Sequence, residues 1–202
     1  AKTLFPYTTL FRSASIDLKA VAYDANSGRY YAVGSNGSVV YSSDINNWTT
    51  LASAATNTTE TLNAIASSGG TLVAVGNKGT LRYSTNGTTW TTPASISEDI
   101  STVDLRGVTY NNGVWVAVGS NGKVLTSTSV GTWTVSTQSG DLTAVASGRY
   151  PLDGTAYYYL AVGADGGGSL FFVHGFRPAP PAQALHAAGD STGRNQDDLL
   201  AG

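Results

Sequence analysis

The chain has 202 residues, 41% of them hydrophobic, enough to bury a sizeable core. Charged residues make up only 12% and the net charge is −2, so the composition does not point to nucleic acid or another polyanion as a partner. Cysteine is absent, which excludes a disulfide frame and thiol chemistry, and no apolar run is long enough to span a bilayer.

In chain order, the first stretch stands apart. Residues 3–13, Thr-Leu-Phe-Pro-Tyr-Thr-Thr-Leu-Phe-Arg-Ser, resemble the in-frame translation of a common sequencing-library adapter at every position. Residues 1–13 are therefore set aside as an artefact, the alternative being an apolar edge strand. On this reading the native N-terminus is not visible and the lack of a signal peptide carries no information. Polarity elsewhere comes from Ser, Thr, Asn and Gly rather than charge, which leans toward an extracellular or cell-surface protein of bacterial or phage type.

From Leu18 onward the chain repeats. The Ala-Val-Gly glycines Gly34, Gly76, Gly119 and Gly163 step by 42, 43 and 44 residues, and Trp48, Trp90 and Trp133 step by 42 and 43. A fixed period of that length marks a repeat architecture. Within a unit the apolar residues alternate rather than recur every three or four positions. Val, Tyr, Thr and Trp are common, and Asn-Gly and Gly-Gly turns cut the runs, as strands require. Four short strands, A to D, fit each unit: in the third, Leu105 opens A, Val114–Gly119 is B, Lys123 opens C and Trp133 marks D. The expected fold is all-β, a β-propeller of four-stranded antiparallel blades over residues 14–173, with units at about 18–50, 61–93, 105–135 and 142–173. The fourth unit has a longer A–B hairpin around 149–154 and loses the pattern after residue 173. Residues 174–202 read as a disordered or out-of-frame tail, and both histidines, His174 and His186, lie in it. Three and a half to four blades predict a fragment of a larger propeller. Its open arc would leave strand edges and blade faces bare, inviting self-association.

The C–D turns read Ser42-Ser-Asp44-Ile-Asn-Asn-Trp48, Ser84-Thr-Asn86-Gly-Thr-Thr-Trp90 and Ser127-Thr-Ser-Val-Gly-Thr-Trp133. Together with the Ala-Val-Gly element they resemble the Asp-box (bacterial neuraminidase) repeats of the sialidase-like superfamily. The resemblance is nearest to the photosystem II stability/assembly-factor-like propellers, and it covers residues 18 to about 172. It implies that Ser42, Asp44, Trp48, Ser84, Asn86, Trp90, Ser127, Trp133 and the four glycines are structural, and that the protein binds a protein partner. The acid survives only as Asp44, with Asn86 and Ser129 in the other copies. One carboxylate among hydroxyls makes a weak oxygen cage, so neither a metal nor a cofactor is expected.

An acid precedes strand A in every unit: Asp17, Glu60, Asp104 and Asp141. A polar or basic residue follows its first leucine: Lys19, Asn63, Arg106 and Thr143. Strand A lines the axial channel of a propeller, so Asp17, Lys19, Asn63, Asp104, Arg106 and Asp141 are candidate ligand contacts at its mouth. The competing reading is that the acids shape the turn into the strand. Catalytic residues are not expected. Sialidase chemistry needs converging arginines, an acid/base carboxyl and a Tyr-Glu pair. Arg29, Arg82, Arg106 and Arg149 fall at different places in their units, and Glu60 and Glu98 are the only glutamates. The expected function is a non-enzymatic scaffold or a protein- or glycan-binding module. The alternatives are a sialidase-clan hydrolase fragment lacking its catalytic residues and a phage tail or adhesin domain that binds glycans.

Overall fold

The structure is a computed structural model that describes residues 16–52, 55–149, 157–163 and, for the backbone alone, 168–171. The set-aside N-terminal stretch and the tail from residue 174 lie outside the described residues.

Strands β1 (Leu18–Asp24), β2 (Arg29–Gly34), β3 (Val39–Ser42) and β4 (Thr49–Thr50) form one antiparallel sheet in that order. Strands β5 (Leu62–Ser68), β6 (Thr71–Gly76) and β7 (Leu81–Ser84) repeat it, with the fourth position reduced to a bridge between Tyr83 and Thr91. The third sheet is larger than expected. After the two-residue β8 (Ser95–Ile96) come β9 (Leu105–Asn111), β10 (Val114–Gly119), β11 (Lys123–Ser129) and β12 (Thr132–Thr137), and β8 returns to pair parallel with β12. A linker strand thus caps the outer edge. Ala94 N–H donates to Gly131 O (2.8 Å), Ser97 N–H to Trp133 O (3.0 Å) and Val135 N–H to Ser97 Oγ (2.8 Å). An edge covered in this way no longer offers unpaired backbone groups to another chain. The fourth sheet holds β13 (Leu142–Arg149), β14 (Tyr157–Gly163) and β15 (Gly168–Phe171).

The sheets stack face to face with their first strands side by side, β1 next to β5, β5 next to β9 and β9 next to β13. Alternation sends successive side chains of one strand to opposite neighbours. In the first interface Tyr31, Val33 and Val39 meet Leu62, Ile65, Leu72 and Trp90. In the second, Val73, Val75 and Leu81 meet Leu105, Val108, Trp115, Leu125 and Trp133. In the third, Val116, Val118 and Val124 meet Leu142, Tyr159 and Ala161. Each Val, Leu or Ile among them contributes about 1.5–3 kcal/mol when fully buried, so the interfaces dominate the stability.

The glycine that ends each second strand has a steric cause. A Cβ on Gly34, Gly76 or Gly119 would collide with the carbonyl of Asp17, Thr61 or Asp104, the residue just before the first strand of the same sheet. The next N–H in each case donates to that carbonyl: Ser35 to Asp17 (2.9 Å), Asn77 to Thr61 (3.0 Å) and Ser120 to Asp104 (3.0 Å). Gly163 holds the matching place at the end of β14, opposite Leu142. Among the described residues no helix is long and apolar enough to cross a membrane.

Candidate functional site

The first strands begin, the second strands end and the third strands begin at one end of the stack, and charge gathers there. Lys19 Nζ pairs with Asp17 (3.2 Å), Lys78 Nζ with Glu60 (2.9 Å), Arg106 with Asp141 (3.1 Å) and Lys123 Nζ with Glu98 (2.7 Å). All four pairs are partly exposed, so water and salt screen them and they add little to stability.

Of the candidate mouth residues, Asn63, Asp104, Arg106 and Asp141 are engaged across the sheets, and Asp17 and Lys19 with each other. The Asp104 carboxylate accepts the backbone N–H of Lys78 (3.1 Å), in the β6–β7 turn of the preceding sheet. Asp141 accepts the N–H of Asn121 (2.7 Å), one repeat further on. That bond, and the Arg106 guanidinium after it, hold the Asp141 carboxyl below its ordinary range. Asn63 donates to Asn77 Oδ1 (2.8 Å) and to Leu105 O (2.9 Å) of the next sheet. The hydrogen bond to Glu60 raises Lys78 above its ordinary value. Asp104 and Asp141 therefore clasp the turn of the preceding sheet with their carboxylates, a role the repeat period alone does not reveal, whereas Glu60 reaches that turn only through its backbone carbonyl, which accepts from Gly37 N–H (2.9 Å). The receiving turns hold Asn36, Lys78 and Asn121 at φ 56°, 50° and 57°, each followed by a glycine also at positive φ.

At the opposite end lie the Ser-x-Asp/Asn turns. Asp44 Oδ1 accepts N–H groups from Asn46 (3.0 Å) and Asn47 (2.8 Å), and Oδ2 takes the Asn47 side-chain amide (2.7 Å). The Asn47 bonds, backbone and side chain, bring the Asp44 pKa down to about 2. Asn86 makes the same turn with its amide oxygen, accepting from Thr88 (2.9 Å) and Thr89 (2.8 Å). An amide serves as well because the job is to accept two N–H groups. Ser42 and Ser84 hydroxyls donate to Asp44 and Asn86 in turn (3.1 Å each). In the third copy Ser127 bridges Ser129 and Thr132 instead, closing a bulge between β11 and β12. Trp90 and Trp133 are buried between sheets, whereas Trp48 is only half-buried.

One residue escaped the motif reading. Asp24, at the end of β1, is buried and accepts from Ser27 N–H (2.9 Å), Ser67 Oγ (2.9 Å) and Gly70 N–H (3.2 Å). Burial works to raise its pKa, but the Ser27 and Ser67 hydrogen bonds outweigh it and hold the carboxyl below its ordinary range. The signal for it was an acid closing a strand directly after the run Ala-Val-Ala-Tyr.

The arginines are dispersed. Arg82 donates to Thr56 O (3.0 Å) and Asn57 O (2.9 Å), Arg106 pairs with Asp141, and Arg29 lies over the Tyr41 ring at 5.1 Å. Among the described residues no three His, Cys, Asp or Glu side chains gather where they could hold a metal ion.

No protein-family model and no curated protein matches the sequence. Solved structures do. The computationally designed Ika4 protein superposes with a TM-score of 0.57 at 11% identity, over 81% of this chain and 95% of its own. The WD40 β-propeller domain of Doa1 matches with a TM-score of 0.55 at 10% identity, over 77% of this chain and 50% of its own. YCF48 from Cyanidioschyzon merolae gives 0.55 at 17% identity, over 73% of this chain and 50% of its own. At these identities the likeness is one of fold, and the chain spans half the length of the last two. Four stacked sheets with adjoining first strands, superposable on half a propeller domain, make this chain an all-β propeller arc.

Proposed function

We propose that the chain is a non-enzymatic β-propeller scaffold that holds a protein partner against the charged end of its sheets. The observation that carries this is the clustering of partly exposed ion pairs at one end of a molecule with few charges. Alternating acids and bases suit a polar protein surface better than a polyanion, because complementary charges set register and repel wrong partners. The photosystem II assembly-factor-like resemblance supports the same class of role, with no partner carried over from it.

The experiment presents the immobilised chain, and its Lys19→Glu/Lys78→Glu/Arg106→Glu variant, with the source proteome, a glycan array and fluorogenic sialosides. The expected outcome is a saturable protein ligand whose retention falls as salt rises and is lost in the variant. Turnover of a sialoside would instead support the sialidase-clan hydrolase. Retention by glycans alone would support the phage tail or adhesin reading. Protein binding untouched by charge reversal would move the site away from this end.

A further inference from the structure

We infer that Asn112, at the tip of the β9–β10 hairpin, is a modification site of the folded chain. It deamidates to aspartate and to β-linked isoaspartate, while the other Asn-Gly steps are protected by the fold. The sequence holds four such steps: Asn36-Gly37, Asn86-Gly87, Asn112-Gly113 and Asn121-Gly122. Asn-Gly is prone to this reaction because glycine has no side chain to shield its backbone nitrogen and turns freely. The Gly113 nitrogen gives up its proton to solvent base and attacks Asn112 Cγ. The Cγ–Nδ2 bond breaks, the leaving nitrogen takes a proton from water and departs as ammonia, and a five-membered succinimide remains. Water, the co-reactant, then opens either carbonyl of that ring. Each product carries one more negative charge than the parent.

The attack requires the peptide after the asparagine to swing round until the glycine nitrogen faces Cγ, so the rate follows how freely each turn opens. All four asparagines are exposed, and the difference lies in the glycines. Gly37, Gly87 and Gly122 are buried, and a Cβ on them would strike Thr58 O, the Tyr31 ring and Gln138 O. Gly37 N–H donates to Glu60 O (2.9 Å). Gly87 N–H donates to Ser84 Oγ (2.8 Å), and the Asn86 amide oxygen is tied to Thr88 and Thr89. Asn121 N–H is held by Asp141 (2.7 Å), and Gly122 O accepts from Gln138 N–H (2.8 Å). Gly113 is exposed, a Cβ on it would meet nothing within 4 Å, and its N–H donates at the surface to Tyr110 Oη (3.1 Å). The reaction bears on the third sheet. Asn111 and Val114 pair across a two-residue turn, with Asn112 at φ 43° and Gly113 at φ 84°. The β-linked product lengthens that turn by one backbone atom, which no longer matches the β9–β10 register.

The test ages the 202-residue chain in mildly alkaline buffer, once folded and once in urea. Peptide mapping by mass spectrometry follows all four steps, and an isoaspartyl methyltransferase labels the β-linked product. In the folded chain Asn112 should convert at least about tenfold faster than each of the other three, the margin set by a hydrogen bond that must break before a turn opens. In urea the four rates should converge, with Asn112 gaining least from unfolding. Chains carrying the β-linked product should melt below fresh chains. Conversion at Asn36, Asn86 or Asn121 as fast as at Asn112 in the folded chain overturns the inference. So does a rate at Asn112 that rises in urea as steeply as the other three, because its turn would then be held as firmly as theirs.

Discussion

The first and third sheets grow from the same repeat but sit in different surroundings. The third has a sheet on each face and β8 along its outer edge, and Trp133 is fully buried. Among the described residues the first has a neighbour on one face only, and its Trp48 is half-buried. Both indoles make the same local bond, Trp133 Nε1 to Val130 O (2.9 Å) and Trp48 Nε1 to Ile45 O (3.0 Å). What differs is the sheet that lies against them. In a stacked repeat, local sequence makes the sheet, and the neighbour decides how much each side chain stabilises it.

The largest expected effect follows from that difference. Trp133→Ala should cost about 3–5 kcal/mol, the usual range for removing a buried tryptophan. Trp48→Ala should cost well under half as much at high dilution. The shared hydrogen bond cancels in the comparison, so the gap reports packing alone. Urea unfolding of the two variants at matched low concentration measures it, and equal losses would mean that Trp48 is covered as fully as Trp133.

Next in size is the Gly87 contact, which separates the second sheet from the first. Gly87 sits at φ 73° and any Cβ would strike Tyr31. Gly87→Ala should cost about 2–4 kcal/mol, from overpacking together with the left-handed backbone. Adding Tyr31→Val should recover the overpacking part, so the double variant is less destabilised than the two single losses predict. Strict additivity in thermal melts would show that the ring and the turn do not meet.

Much of the fold was legible because its causes are local. Ala-Val-Gly recurs since a Cβ at Gly34, Gly76 or Gly119 would strike a carbonyl a fixed distance back in the chain. Ser42 and Asp44, or Ser84 and Asn86, bond N–H groups within three residues, so the turn can be read from its own letters. The contacts that were not legible reach across units. Nothing in Ser95–Ile96 shows that this pair will lie parallel to Trp133. Asp104 and Asp141 could be placed before a strand, but their partners, Lys78 N–H and Asn121 N–H, sit in the preceding sheet. Asp24 escaped for the same reason, since Ser67 and Gly70 reach it from the next unit.

Asp24 also allows the two ends of the stack to be separated by pH. Its counterpart between the third and fourth sheets is neutral: Asn111 donates to Gly148 O (3.1 Å), and Tyr159 Oη donates to Val114 O (3.1 Å). The folded state lowers the Asp24 pKa, so its contribution is present above the ordinary carboxyl value of about 3.9 and fades as pH falls through the depressed one. Burial pushes Tyr159 the other way, up to about 12. Its contribution is present below the ordinary value of about 10 and fades as pH rises toward the folded one. Acid should therefore loosen the first interface and alkali the third, seen as amide exchange rising first in β1 or in β14. Asp24→Asn should cost about 1–2 kcal/mol near neutral pH and flatten the acid limb. An unchanged acid limb would assign the loss to other carboxylates.

The smallest effect is a gain rather than a loss. Ile45 sits at φ 59°, a backbone that a β-branched residue tolerates poorly, whereas the second sheet places Gly87 at the same point. Ile45→Gly relieves about 1–2 kcal/mol of strain. It gives back about 0.5–1 kcal/mol through the freer unfolded backbone. The variant should therefore melt slightly higher than the parent, and thermal melts of the two chains measure the gain. A variant that melts lower would show that the Ile45 side chain makes contacts worth more than the strain it carries.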